Sequence, residues 1–330
     1  MYLGSLASTS CLAMGKGKIG GKKVPLIKNK IKRRAVVQKL KKEGEKTAKK
    51  ERKTRQKEAE ALGDEAPEQH AQRTLENTRD YDATVVQPDD EEVAGEDRMD
   101  EFASHFAGAE PPRIVITTGQ YPSKQLLEFV NEILGLLPNS EYRQRGAIPI
   151  KAVVQAASQR GFTMLLVFTE RAKRPTGLWL IKLDPRGGPG GPTARFKVSS
   201  LRMPKEITGH GTPTNHRPEL ILNNFGTRLG HRVGRLLACL VPHDPQFRGR
   251  QVITMHNQRD FVFFRHHRYI FEEKGEGKKR RVAARLQELG PRFTLRLKSL
   301  QMGTFDTQHG EYEWKRQAEL DRHSRRRFHI

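Results

Sequence analysis

The chain repeats itself. Gly191-Pro192-Thr193-Ala194-Arg195-Phe196-Lys197-Val198-Ser199-Ser200-Leu201-Arg202-Met203 aligns without a gap with Gly290-Pro291-Arg292-Phe293-Thr294-Leu295-Arg296-Leu297-Lys298-Ser299-Leu300-Gln301-Met302. The stretches before them follow one order as well. In the first half a β-branched run, Arg113–Thr118, predicts a strand. A helix follows, capped by Ser123, with Leu126, Leu127, Val130, Ile133, Leu134 and Leu137 on one stripe. Pro149–Arg160 predicts a second helix closed by Gly161, and strands are expected at Thr163–Thr169, Gly177–Leu183 and Ala194–Leu201. The second half offers a strand at Glu219–Phe225, a helix at Thr227–Leu240, then strands at Gln251–His256, Phe261–Phe271 and Phe293–Leu300. The expected class is α/β (α+β). Two similar halves, about 111–204 and 217–303, each a mixed sheet with helices, make one domain over 111–310.

Ahead of this domain the charge changes sign twice. Residues 15–60 carry 19 Lys/Arg against 5 acidic residues. The arm 1–63 is expected to be partly helical or disordered, with helix formers from Val36 to Ala61. Lys30, Lys32, Arg33, Arg34 and Lys49, Lys50, Arg52, Lys53 form its clusters, which suit nuclear import or an RNA grip. Met14 opens the Lys/Gly-rich run and reads as a natural start. Residues 64–110 hold 15 acidic and 3 basic residues and are expected to be a flexible acidic linker. Residues 311–330, with Arg325-Arg326-Arg327-Phe328, are expected to be a mobile basic tail.

The formal net charge is +23, of which about +21 lies after residue 110. The globular part therefore binds a polyanion in its own right, because neutralising phosphates releases condensed counterions. No apolar run reaches the roughly 18 residues of a membrane span, which leaves nucleic acid as the expected polyanion. Cys11 and Cys239 are too few for a disulfide framework or a four-cysteine zinc site and fit a reducing compartment.

Three arrays are candidate RNA contacts. On the helix Thr227–Leu240, Arg228, Arg232 and Arg235 recur on one face, with His231 beside them; a planar guanidinium pairs phosphate oxygens two at a time. Gly226, Gly230 and Gly234 call for close approach of another backbone, protein or RNA. The second array is Arg248 and Arg250 with Arg265, His266, His267 and Arg268, interleaved with aromatics that can stack bases or fill a core. In the third, Arg292, Arg296 and Lys298 alternate with Phe293, Leu295 and Leu297, which puts charge on one strand face. Each array also reads as an ordinary solvated basic face.

Catalytic readings fail on spacing. His210, His216, His266 and His267 match no metal-ligand pattern, so no metal and no cofactor are expected. The loop Gly187–Gly191 lacks the Gly-Lys-Ser/Thr ending of a phosphate cradle. Asp184, Asp244, Asp260 and Asp306 are scattered beside turns.

The stretch from Gly290-Pro291-Arg292-Phe293-Thr294-Leu295 through Gly303-Thr304-Phe305 resembles the signature of Brix-domain proteins of ribosome assembly. Pro218–Phe225, Arg228–Arg235, Phe247–Gln251, His256–Phe261, Phe264–Phe271, Thr304–Thr307 and Gly310–Trp314 narrow the resemblance to a branch serving the large subunit. The likeness covers about 111–330. It implies a duplicated fold, each half similar to an anticodon-binding domain. It also implies a non-enzymatic factor in the nucleus and nucleolus that binds precursor ribosomal RNA of the large subunit. Such a factor serves pre-rRNA processing and 60S maturation within pre-60S particles. The implied partners are that RNA and pre-60S assembly factors, among them a maintenance-of-killer-type factor in a heterodimer; no membrane and no small-molecule substrate are implied. The alternative is a protein scaffold whose basic surface meets a protein instead of RNA. The residues before Met14 and the insertion Arg186–Pro192 depart from the family pattern.

Overall fold

The computed structural model describes residues 18–19, 22–23, 29–62, 73–74, 77–87, 90–109, 111–186, 190–243, 250–274, 281–305, 310–317 and 326–330. The chain divides into two units, Met1–Arg73 and Thr74–Ile330. In the first, α1 (Lys30–Leu62) is capped by Asn29, whose Oδ1 accepts from the N–H groups of Ile31 and Lys32 at 3.0 and 3.2 Å. Lys30, Lys32, Arg34, Lys49, Lys50, Arg52 and Lys53 are exposed on it and Arg33 is half-buried.

The second unit is built on one eleven-stranded sheet. Its first half runs β1 (Ile114–Thr117), α4 (Lys124–Leu136), β2 (Ser140–Tyr142), α5 (Ile150–Gln159), β3 (Met164–Arg171), β4 (Arg174–Lys182) and β5 (Thr193–Arg202). Its second half runs β6 (Glu219–Asn223), α6 (Arg228–Ala238), β7 (Gln251–Gln258), β8 (Phe261–Lys274), β9 (Arg281–Glu288) and β10 (Arg292–Gln301), and β11 (Tyr312–Lys315) follows. The path across the sheet is β2-β1-β3-β4-β5-β10-β8-β7-β6, with β9 paired to β8 and β11 to β10. β1 lies parallel to β2 and β3, and β6 parallel to β7; the other pairs are antiparallel.

The duplication is visible in this order, with one correction. The halves do not carry separate sheets; the two repeat strands, β5 and β10, pair with each other and fuse them. Lys197 lies opposite Arg296, its own counterpart in the repeat, so the pseudo-twofold passes between them. Both Gly191–Pro192 and Gly290–Pro291 are cis.

One face of the sheet is covered along its length. Ser123 Oγ caps α4 by accepting from Leu126 N–H, and Leu126, Phe129, Val130, Ile133 and Leu136 pack onto Ile114, Ile116, Leu166 and Phe168. Val233, Leu236 and Leu237 of α6 join Ile253, Met255, Val262 and Leu295 on the same side. The opposite face is treated unequally. In the first half α5 buries Val154 and Ala157 against Val115, Leu165, Val167 and Ile181. No described helix of the second half takes that place.

Three expectations need correction. The segment expected to be a flexible linker contains α2 (Glu91–Met99), capped by Asp90, and α3 (Ala103–Phe106). Phe102 between them is fully buried in the main core, and burying one such ring stabilises by about 1.5–3 kcal/mol. The described parts of the basic tail are docked: β11 extends the sheet, while Phe328 and Ile330 are buried. Asp260 Oδ1 accepts from His329 and Ile330 N–H at 2.7 and 3.0 Å. Finally, β9, with no counterpart in the first half, comes from a stretch with little strand signal in its sequence.

Candidate nucleic-acid interface

The helix α6 starts at Thr227, whose Oγ1 accepts from Gly230 N–H at 2.8 Å and donates to His329 O at 2.8 Å. A Cβ on Gly230 would stand 3.0 Å from the backbone of Ile330, so this glycine admits the docked C-terminal segment and not a nucleic acid. Gly234 has ordinary contacts with Phe225, and Gly226 has open space.

The arginine row of α6 lies under carboxylates from the segment expected to be a linker. Arg235 makes a two-pronged pair with Asp100 at 2.7 and 2.8 Å and donates to Asp97 O at 2.9 Å. Its side chain is only 13% exposed and that of Asp100 10%. Arg232 holds Glu313 at 2.6 and 2.8 Å and Glu101 at 3.2 Å. Burial works against its charge, yet Glu313 and Glu101 more than offset this and raise its pKa. Arg235 also lies over Phe106, 4.3 Å from the ring centroid. His231 meets Asp97 at 2.9 Å, and the more exposed Arg228 meets Glu92 at 2.6 Å. Arg228 N–H donates to Thr84 O at 2.8 Å, so part of the helix N-terminus is occupied too. The sequence-predicted row is real as a row, but Arg232 and Arg235 are engaged by carboxylates within the fold, and only Arg228 keeps a largely exposed side chain.

The second array is dispersed. His266 is buried, with Nδ1 2.9 Å from Gly290 O and Nε2 2.8 Å from Gln251 Oε1; burial lowers its pKa. It is a core histidine. His267 is half-buried, its pKa lowered first by burial, against the pull of Glu288. Arg268 donates to Gln287 Oε1 at 2.6 Å, and Arg250 is exposed. Arg248 lies outside the described residues.

The third array belongs to a larger surface. Alternation along β5 and β10 sends Phe196, Val198, Leu295 and Leu297 into the main core, and Arg195, Lys197, Ser199, Thr294 and Arg296 to the opposite face. There Trp179 lies opposite Arg195, Phe263 opposite both Thr294 and His256, and Arg265 opposite Thr254. These positions run from the border of the first half, where Trp179 touches the cluster under α5, into the second half, where no described helix covers the face. Arg195 lies 4.9 Å from the Trp179 ring centroid, Arg296 4.8 Å from that of Phe261 and Arg265 5.8 Å from that of Phe263. A ring orients a guanidinium without cancelling its charge. Among the described residues, Arg195, Lys197 and Arg265 form no ion pair with a carboxylate. Burial, with Glu288 opposing and Arg292 adding, lowers the pKa of Arg265. Lys197 and Arg296 face each other directly across the β5–β10 pair. Arg292 reaches Glu288 at 3.3 Å, and Lys298 is half-buried beside the bulge between Leu297 and Ser299.

Sequence reasoning singled out Arg292, Arg296 and Lys298 but passed over Arg195, Lys197 and Trp179. The signal was available: Arg195-Phe196-Lys197-Val198 alternates as β10 does, and the repeat alignment places Lys197 at the position of Arg296. Among the described residues no group of three or more His, Cys, Asp or Glu could hold a metal ion, and no helix is long and apolar enough to cross a membrane.

The family model described as the Brix domain matches residues 119–299. Ribosome production factor 1 of Pongo abelii is 48% identical over 307 residues, spanning 92% of this chain and 84% of that protein. Ribosome production factor 1 of Saccharomyces cerevisiae is 40% identical over 310 residues, spanning 92% and 97%. A crystal structure of a probable ribosomal biogenesis protein from Aeropyrum pernix K1 covers 56% of this chain and 96% of its own, at 16% identity and a TM-score of 0.41. With a domain match over more than half its length and relatives this similar over nearly all of it, the chain belongs to the Brix-domain family.

Proposed function

We propose that this protein is a non-enzymatic ribosome-assembly factor that binds precursor ribosomal RNA of the large subunit in the nucleolus. It does so through the sheet face that spans the junction of the two halves, where Arg195, Lys197, Arg265 and Arg296 engage phosphates and Trp179, Phe261 and Phe263 offer rings for bases. The observation that carries this reading is a basic, aromatic sheet face whose exposed cations Arg195 and Lys197 have no carboxylate partner among the described residues. The names of its relatives, ribosome production factors, support a role in ribosome assembly. Within a pre-60S particle, a maintenance-of-killer-type factor is its proposed protein partner.

Four phosphate contacts to single-stranded RNA give a log–log salt slope near −2.8, or roughly a 50-fold loss of affinity between 50 and 200 mM salt. A fluorescence titration of a single-stranded large-subunit pre-rRNA fragment should show that slope. Arg195→Glu with Lys197→Glu and Arg296→Glu should lower affinity at least tenfold while the chain stays folded. A flat salt response with unchanged affinity in the triple variant would overturn the reading and favour a protein scaffold.

A further inference from the structure

The helix α1 (Lys30–Leu62) plays no part in the sheet-face site, yet it is the most cationic element of the chain. It holds 14 Lys/Arg and 5 acidic residues, so at most five of its cations can be neutralised within it. The excess is spread around the axis. At about 100° per residue, Arg34, Lys41 and Arg52 fall on one side and Lys39, Lys46, Lys50 and Lys53 on the opposite one. Lys42 and Lys49 lie between these rows. All nine are exposed, and the exposed acids of the same stretch are Glu45 and Glu51. The remaining side carries Val36, Val37 and Leu40, which are half-buried.

This arrangement discriminates among partners. A protein docked along the helix needs an apolar stripe, and between Leu40 and Leu62 no apolar residue is larger than alanine. A single RNA strand is gripped by rings on which its bases stack, and α1 contains no Phe, Tyr, Trp or His. A polyanion lying along one side would reach one cation row and leave the other, about 10–12 Å away across the helix, facing water. Two phosphate backbones held apart at a fixed distance reach both rows at once. Such a pair borders each groove of duplex RNA.

We infer that α1 is a duplex-RNA-binding element that lies along a groove, with Arg34, Lys41 and Arg52 on one backbone and Lys39, Lys46 and Lys50 on the other. From Arg34 to Lys53 the rows run about 28 Å along the axis. Contacts to phosphate carry no sequence, so the helix recognises the shape and charge of the duplex and accepts any sequence. The sheet face takes single strands through its rings, and α1 takes paired segments without any. The two sites are separate, and this one does not depend on the other.

The test uses the full-length chain, a mixed-sequence RNA duplex of about 20 base pairs and one of its strands alone. One variant combines Arg34→Gln, Lys41→Gln and Arg52→Gln; a second combines Lys39→Gln, Lys46→Gln and Lys50→Gln. Glutamine keeps helix propensity while removing charge. Each triple variant should lower duplex affinity at least about tenfold and reduce the log–log salt slope by about 2.7, changing single-strand affinity at most about threefold. In the parent chain, bound duplex should protect Lys41 on one row and Lys39, Lys46 and Lys50 on the other from an amine-reactive label, read by mass spectrometry. Unchanged duplex affinity in both variants, a loss from one row alone, equal losses for duplex and single strand, or a tenfold preference for one duplex sequence would each overturn the inference. So would a defect in nuclear import as the sole consequence of both variants. The sheet-face variant Arg195→Glu with Lys197→Glu and Arg296→Glu should leave duplex affinity as it is. Should that variant also keep its single-strand affinity, the sheet-face reading alone would fall.

Discussion

Two basic rows in this protein look alike in sequence and have opposite fates. Arg232 and Arg235 on α6 are largely shielded and end on Glu313, Glu101 and Asp100; Arg195 and Lys197 on β5 are exposed and, among the described residues, pair with no carboxylate. Both rows are periodic, basic and backed by apolar residues. The difference comes from what returns over them. An acidic stretch more than a hundred residues earlier in the chain closes over α6, whereas the cluster that α5 covers takes its buried strand residues from β1, β3 and β4 and none from β5, where Arg195 and Lys197 stay exposed. A row of arginines is thus a binding surface only where the rest of the fold leaves its charge unspent.

The sharpest way to break this comparison is Arg235→Ala. It strands Asp100, 10% exposed, without its partner, and should destabilise the unit by about 3–5 kcal/mol in chemical denaturation. RNA affinity per folded molecule should not change. An undiminished stability, or a selective loss of RNA binding, would mean that the α6 row works as an open site.

The next effect follows pH. His105, in α3, is buried, and its pKa is pushed down to about 4 by burial first and then by the charges of Lys182 and His243. In the unfolded chain it returns to about 6.5. Between these values the unfolded chain takes up a proton that the folded chain refuses. Stability is therefore full above pH 6.5 and falls by about 3 kcal/mol as pH drops to about 4. Subtracting the profile of His105→Gln isolates this component from the carboxylates; equal slopes in parent and variant would refute it.

The smallest effects give the finest contrast. Lys197→Ala should cost about 0.5–1 kcal/mol of RNA affinity and reduce the salt slope by about 0.7, as for a single lost phosphate contact on a single strand. Arg228→Ala removes a mostly exposed pair with Glu92 and should move stability by at most about 0.5 kcal/mol and the slope not at all. Matching slopes for the two variants would erase the distinction between the rows.

Much of the fold was legible because each half repeats local signals. The Ser123 cap, the apolar stripe of α4, the alternation in β5 and β10 and the β-branched run of β1 all act over a few residues. Where local preference and tertiary pairing disagree, the reading fails. Arg281–Glu288 consists mostly of helix formers, yet it forms a strand because β8 offers it a partner. His266 sits in a basic, aromatic run, yet alternation along β8 turns it inward to Gln251 and Gly290.

The amino-acid order by itself determined most elements of the two repeated halves, the duplication and the cationic balance of the domain, since these depend on neighbours along the chain and on total charge. Only the tertiary structure decided which cations stay available. Neutralising a guanidinium requires a carboxylate within about 3 Å, and Asp100 and Glu313 reach α6 only through long-range packing, with Phe102 in the core and β11 on the sheet.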